Sequence, residues 1–137
     1  MINFLVVTHG DFGAYLTEAA ESIVGRQDQG VRVVSISPRV CVSDLSQRIR
    51  KAITELGGAD GLILFTDMPG GTPSNLAFPL VKDAPNVEMV TGVNLYMLVS
   101  AFNHRLDYTL QALVEKVLAD GKKSVCDVRR QFLARAR

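Results

Sequence analysis

The chain has 137 residues, 47% of them apolar, and a formal net charge of +1. That length suits one domain with a single core and leaves little room for a second. Near-neutrality removes any global field that would draw nucleic acid or an anionic membrane, so a partner must be chosen by a local surface. Two cysteines, Cys41 and Cys126, are too few for a disulfide scaffold and have no neighbours at metal-ligand spacing. Both are read as structural, and no metal or cofactor is expected. The chain opens without a secretory pattern, and no apolar run reaches the ~20 residues that a bilayer span requires. A cytoplasmic protein without membrane insertion is the expectation.

In chain order, Phe4-Leu5-Val6-Val7 reads as a buried strand that delivers His9 at its end. Phe12, Leu16, Ala19, Ala20, Ile23 and Val24 then recur at helical spacing and close at Gly25. Val31 to Ile36 reads as a second strand. Leu45, Ile49, Ile53 and Leu56 mark a second helix, capped by Ser43 or Asp44 and ended by Gly57-Gly58. The third strand, Leu62 to Phe65, runs into Thr66-Asp67-Met68-Pro69-Gly70-Gly71-Thr72-Pro73. Thr72 suits the N-cap of a third helix and Pro73 its first position, where the missing amide proton costs nothing.

Pro79 is expected to shorten or kink that helix, because it removes a backbone donor and crowds the preceding turn. Val87 to Val90 gives a fourth strand, Gly92-Val93-Asn94 a turn, and Leu95, Leu98, Val99 and Phe102 a short helix. A longer helix carries Leu110, Leu113, Val114, Val117 and Leu118 and stops at Gly121. Ser124 to Val128 alternates like an edge strand in need of a neighbour. Residues 1–128 form the expected domain. Residues 129–137 form a basic tail in a region where Lys122, Lys123, Arg129, Arg130, Arg135 and Arg137 face only Asp127. His104 and Arg39 are read as surface residues.

Strands alternating with helical stripes imply right-handed βαβ units. The expected fold is therefore a doubly wound α/β domain with a mostly parallel sheet in order 2-1-3-4, helices on both faces and a C-terminal edge or exchanged strand. In that order the crevice opens between strands one and three at their carboxyl ends, where His9 and Asp67 emerge together.

A neutral imidazole is a nucleophile when one ring nitrogen is held as a donor and the other keeps its lone pair. Asp67 can do the holding, and it would stabilise the positive charge that develops when the free nitrogen attacks. Gly10 lies near the start of helix one, and Gly70, Gly71 and Thr72 at the start of helix three. These are places where unpaired amide protons point at an anion. Phosphoryl is the favoured electrophile and phosphohistidine the favoured intermediate. An aspartate-phosphorylated receiver would need an acidic cluster after strand one, where Thr8-His9 stands. A histidine phosphatase would need an arginine in place of Thr8.

Three stretches now carry a resemblance: Val6-Val7-Thr8-His9-Gly10, the loop Phe65 to Asn75, and Gly92-Val93-Asn94-Leu95-Tyr96-Met97-Leu98. Together they resemble the mannose-type enzyme IIA domain of the bacterial phosphoenolpyruvate-dependent sugar phosphotransferase system. The resemblance implies that phosphocarrier HPr donates phosphate to His9 and that a IIB component accepts it. Asp67 would be the hydrogen-bonding partner of His9, and Gly70, Gly71 and Thr72 would contact the phosphate. It also implies a homodimer that pairs or exchanges the C-terminal strand. Met68-Pro69 and Ser74 stand where relatives often carry bulkier residues, which implies a different docking surface. With no IIB domain in the sequence, a regulatory phosphohistidine protein that binds a target according to its phosphorylation state is the alternative.

Overall fold

The computed structural model describes residues 1–136; Arg137 of the basic tail lies outside the described residues. Its centre is a parallel sheet of β1 (Asn3–His9), β2 (Val31–Ile36), β3 (Leu62–Thr66) and β4 (Val87–Val90), in spatial order β2-β1-β3-β4. The expected α/β architecture and strand order are therefore present. Phe4 through Val7 and Leu62 through Phe65 are completely buried. Continuous apolar runs of this kind suit central parallel strands covered on both faces.

Alternate residues of those strands feed two cores. Phe4, Val6, Ile63 and Phe65 pack against α1 (Phe12–Val24), α4 (Leu95–His104) and α5 (Leu110–Lys123). Leu5, Val7, Leu62 and Leu64 pack on the other face, against α2 (Val42–Leu56) and α3 (Thr72–Val81). Rings of Phe4, Phe65 and Phe102 meet at centroid distances of 5.7–5.9 Å, within the range of favourable tilted pairs.

Several local expectations are corrected. The N-cap of α2 is Cys41, so Ser43 and Asp44 lie inside the first turn, where the Asp44 charge meets the positive end of the helix dipole. Gly71, not Thr72, is the N-cap of α3, and that helix continues past Pro79 to Val81. Helix α5 passes through Gly121 to Lys123. Gly121 instead serves packing, because a Cβ there would lie 2.4 Å from Met97 Cγ on α4. Asn94, read as a turn residue, caps α4 by accepting from the Met97 amide. Cys41 and Cys126, read as structural, are both exposed and form no disulfide.

The largest correction is at the C-terminus. Ser124 to Asp127 form a turn and irregular chain, and Val128–Ala136 form a helix, α6, in place of the edge or exchanged strand. A run of five alternating residues does not distinguish a strand from a turn followed by a helix, and among the described residues no strand pairs with this run. Val125, Val128, Phe132 and Leu133 are exposed.

Candidate active site

Because β1 and β3 are adjacent and in register, with Val7 opposite Thr66, the residues that follow emerge side by side at the carboxyl edge of the sheet. His9 ends β1 and Asp67 immediately follows β3. The imidazole Nδ1 lies 2.7 Å from Asp67 Oδ2 across 58 positions of sequence. The same oxygen accepts the His9 backbone N–H at 2.9 Å, and Oδ1 accepts the Met68 N–H at 3.0 Å. Asp67 is only 13% exposed, whereas half of the His9 side chain faces solvent.

Burial alone would raise the Asp67 carboxyl. The bonds from the His9 amide and ring, the His9 charge and the residue's own backbone amide outweigh it and hold the group below its ordinary value. Asp67 is thus a carboxylate, which only accepts hydrogen bonds. The proton between the two side chains therefore sits on Nδ1, and the Nε2 lone pair is left for an electrophile.

Gly71 forms the wall beside that ring. A Cβ on Gly71 would lie 2.9 Å from His9 Cε1 and 3.6 Å from Nε2, so the loop backbone reaches the reactive edge of the imidazole only because the residue is glycine. Gly70 takes a left-handed φ of 75° that lets the loop turn. The Gly71 and Thr72 amides belong to the first turn of α3, among the N–H groups that have no intrahelical partner. Such a helix start favours a bound anion by about 0.3–1 kcal/mol. The loop is tied back by Asn75, whose amide donates to the Gly71 carbonyl and whose side chain donates to Gly70.

One expected donor is corrected. The Gly10 amide donates to the Ile36 carbonyl at 2.9 Å and so does not face an anion. The contribution of Gly10 is its φ of 53°, which turns the chain from β1 into α1. Behind it, the fully buried Thr8 accepts the Gly13 N–H at 2.7 Å, which fixes the start of α1 to the end of β1. A Cβ on Gly13 would lie 2.8 Å from that hydroxyl oxygen.

His104, read as a surface residue, is half-buried, and its neighbour Arg105, which the sequence did not single out, is buried. The His104 Nδ1–H donates to the Ser100 carbonyl at 2.8 Å, and the ring meets Tyr108 edge-on at 5.0 Å. Its neighbour Arg105 is 4% exposed, and its guanidinium donates to Ile2, Gln27, Gln29, Asn3 and Gly30 while stacking over Phe4. Both lie away from His9.

The family model for the "PTS system fructose IIA component" (EIIA-man) matches residues 3–118. The chain belongs to this family. Members of this mannose and fructose IIA family are phosphotransfer components of the sugar phosphotransferase system. A fructose-specific EIIA component of Bacillus subtilis is 25% identical over 124 residues, covering 90% of this chain and 84% of that protein. The mannose-specific EIIAB component of Escherichia coli K12 is 28% identical over 125 residues, and the match spans only 38% of that longer protein. Among solved structures, a IIA protein associated with the fucose utilization operon of Streptococcus pneumoniae superposes with a TM-score of 0.85 at 26% identity, covering 96% of each chain. An EIIA component of Streptococcus agalactiae superposes equally well, at 0.85 and 24% identity, over 95% of this chain and 99% of that one. Among the described residues of this IIA-family chain, no helix is long and apolar enough to cross a membrane.

Proposed function

We propose that this protein is a cytoplasmic phosphocarrier in which His9 accepts a phosphoryl group from phospho-HPr and passes it to a IIB component. The observation that carries the reading is the 2.7 Å pair of His9 Nδ1 and Asp67 Oδ2, with Nε2 turned toward the Gly70-Gly71-Thr72 loop. In the transfer, the Nε2 lone pair forms the new bond to phosphorus as the bond to the donor breaks and its electron pair leaves with the donor. Asp67 stabilises the imidazolium that forms, and the Gly71 and Thr72 amides and the Thr72 hydroxyl receive the phosphoryl oxygens. Return of the electron pair to Nε2 as the group moves to IIB resets the site.

Phe12, at the start of α1, and Met68, beside Gly71, are 47% and 51% exposed and offer apolar contacts to either partner. In this reading residues 1–128 are the working domain. The basic 129–137 segment is an appendage, and a second copy of the chain covers the exposed Val128, Phe132 and Leu133. Light scattering tests that assembly, and a strictly monomeric protein at high concentration refutes it.

The function is tested by incubation with phosphoenolpyruvate, enzyme I and HPr. One acid-labile phosphate is expected on the protein, located at His9 by mass spectrometry and missing from His9→Ala. Phosphate on the His9→Ala variant refutes the assignment.

A further inference from the structure

Behind the loop lies a group of three hydroxyls, those of Thr66 and Ser74 buried and that of Thr91 on an exposed residue, that the transfer step does not use. Thr66 is fully buried at the end of β3, and Ser74 is 8% exposed in the first turn of α3. Their oxygens lie 2.7 Å apart, and Thr66 Oγ1 is 2.9 Å from the Thr91 hydroxyl just beyond β4. Ser74 Oγ donates to the Met68 carbonyl at 2.6 Å. A buried hydroxyl costs free energy unless it is bonded, so the Thr66 and Ser74 oxygens are held to each other, Ser74 to the Met68 carbonyl and Thr66 to the Thr91 hydroxyl nearer the surface.

Met68 is therefore clamped on both sides. Its carbonyl is held by Ser74, and its N–H is held by Asp67 Oδ1, which leaves Asp67 Oδ2 aimed at the His9 amide and ring. Pro69, which has no amide proton to donate, and the left-handed Gly70 follow, so the Ser74 bond is the one that holds the Met68 carbonyl itself, while Asn75 ties down the loop further on at Gly70 and Gly71. The Ser74 side chain points inward to these partners, so it acts as a support and does not contact the phosphoryl group.

We propose that Ser74, backed by Thr66 and Thr91, is a positioning residue for the phosphoryl acceptor. Through the Met68 carbonyl it holds the Asp67 carboxylate on His9 Nδ1 and so keeps Nε2 as the free nitrogen. The inference rests on the reading of His9 as the acceptor, but the positioning itself exists in the unphosphorylated protein and is measurable there.

The test uses Ser74→Ala and Thr66→Val in the full chain, each alone and combined with Asp67→Asn. Nitrogen-15 NMR of the unphosphorylated protein should show His9 with its proton on Nδ1 in the wild type and a mixture of tautomers in both single variants. Phosphorylation by phospho-HPr should slow by about three- to tenfold, the worth of one hydrogen bond. In the Asp67→Asn background the same changes should cost nothing more, because a group acting through Asp67 loses its effect when the carboxylate is gone. Wild-type tautomer and rate in the variants would overturn the proposal, as would an equal loss with and without the carboxylate. Should Ser74→Ala fail to melt cooperatively, Thr66→Val, close in shape to the residue it replaces, carries the same expectations. If the wild type takes no phosphate, the acceptor reading fails, while the tautomer measurement still decides whether Ser74 positions Asp67.

Discussion

Adding one methyl group at Gly71 separates the stability of this protein from its chemistry. Gly71 has φ −85° and ψ 170°, extended backbone that alanine adopts without strain. In free space, Gly71→Ala would stabilise the fold by about 0.4–1 kcal/mol by restricting the unfolded chain. The space is occupied: the new Cβ would lie 2.9 Å from His9 Cε1 and 3.1 Å from Met68 Cγ. Non-bonded carbons settle at about 3.5–4.0 Å, so one side must retreat by roughly 0.6–1 Å. Met68 Cγ belongs to a flexible, exposed side chain and yields at little cost. The imidazole is held by its 2.7 Å bond to Asp67, so moving it stretches the contact that orients it. Misplacing a reacting group by about 1 Å costs on the order of 100-fold in rate. The expected outcome is a Gly71→Ala protein with an unchanged melting temperature to within a few degrees and a rate of phosphorylation by phospho-HPr about 100-fold lower, measured by rapid quench. A folded variant with wild-type kinetics would refute the steric reasoning. Gly70→Ala should act through the backbone instead. Its Cβ meets nothing within 4 Å, but its φ of 75° penalises any side chain, by about 1–2 kcal/mol on a denaturant titration.

Asp67→Asn should leave the circular dichroism unchanged and slow transfer to His9 on the order of 100-fold or more, since the amide no longer fixes the tautomer or balances the imidazolium; unchanged kinetics would remove Asp67 from the mechanism. Arg105→Met should lose about 3 kcal/mol or more in urea, because it strands the Ile2 and Gln29 carbonyls that the guanidinium now satisfies and removes its bonds to Gln27 and Gly30. Those groups lie at the amino edge of the sheet, opposite His9, so phosphorylation of the folded variant should persist. Acid should destabilise the fold through two depressed carboxyls, Asp67 and Asp120. For Asp67 burial pulls upward and the His9 bonds outweigh it, while for Asp120 the Ser100 hydroxyl bond leads. A lowered folded pKa means that the unfolded chain binds protons first as pH falls. The stabilisation is therefore complete above the ordinary carboxylate range and lost as pH drops through the folded values. Urea midpoints at neutral pH and near pH 3 should differ less in Asp120→Asn than in the wild type; an equal difference would refute this assignment.

Much of the fold was legible because its strongest signals are local. Val31 to Ile36 and Val87 to Val90 match β2 and β4 to the residue, and the apolar runs of β1 and β3 are buried on both faces. Once their order placed β1 beside β3, the approach of His9 to Asp67 followed from the strand ends alone. The failures occurred where a local pattern has two physical outcomes. Ser124 to Val128 alternates over too few residues to separate a strand from the turn and helix that form there. Gly121 reads as a helix stop but sits inside α5 because Met97 needs the room.

Residue types and periodicity by themselves determined the order of elements, the parallel sheet and the two side chains brought to its carboxyl edge. Tertiary structure alone decided how each polar group is spent. The Gly10 amide goes to Ile36, the Ser74 hydroxyl to Met68, and Arg105 to five oxygens at the amino edge of the sheet instead of to solvent. The physical reason is one of range. Apolar spacing records which face of an element is buried, and neighbours in sequence suffice to write it. The partner of a hydrogen-bonding group is whatever distant segment packing brings within about 3 Å, and no neighbouring residue specifies that.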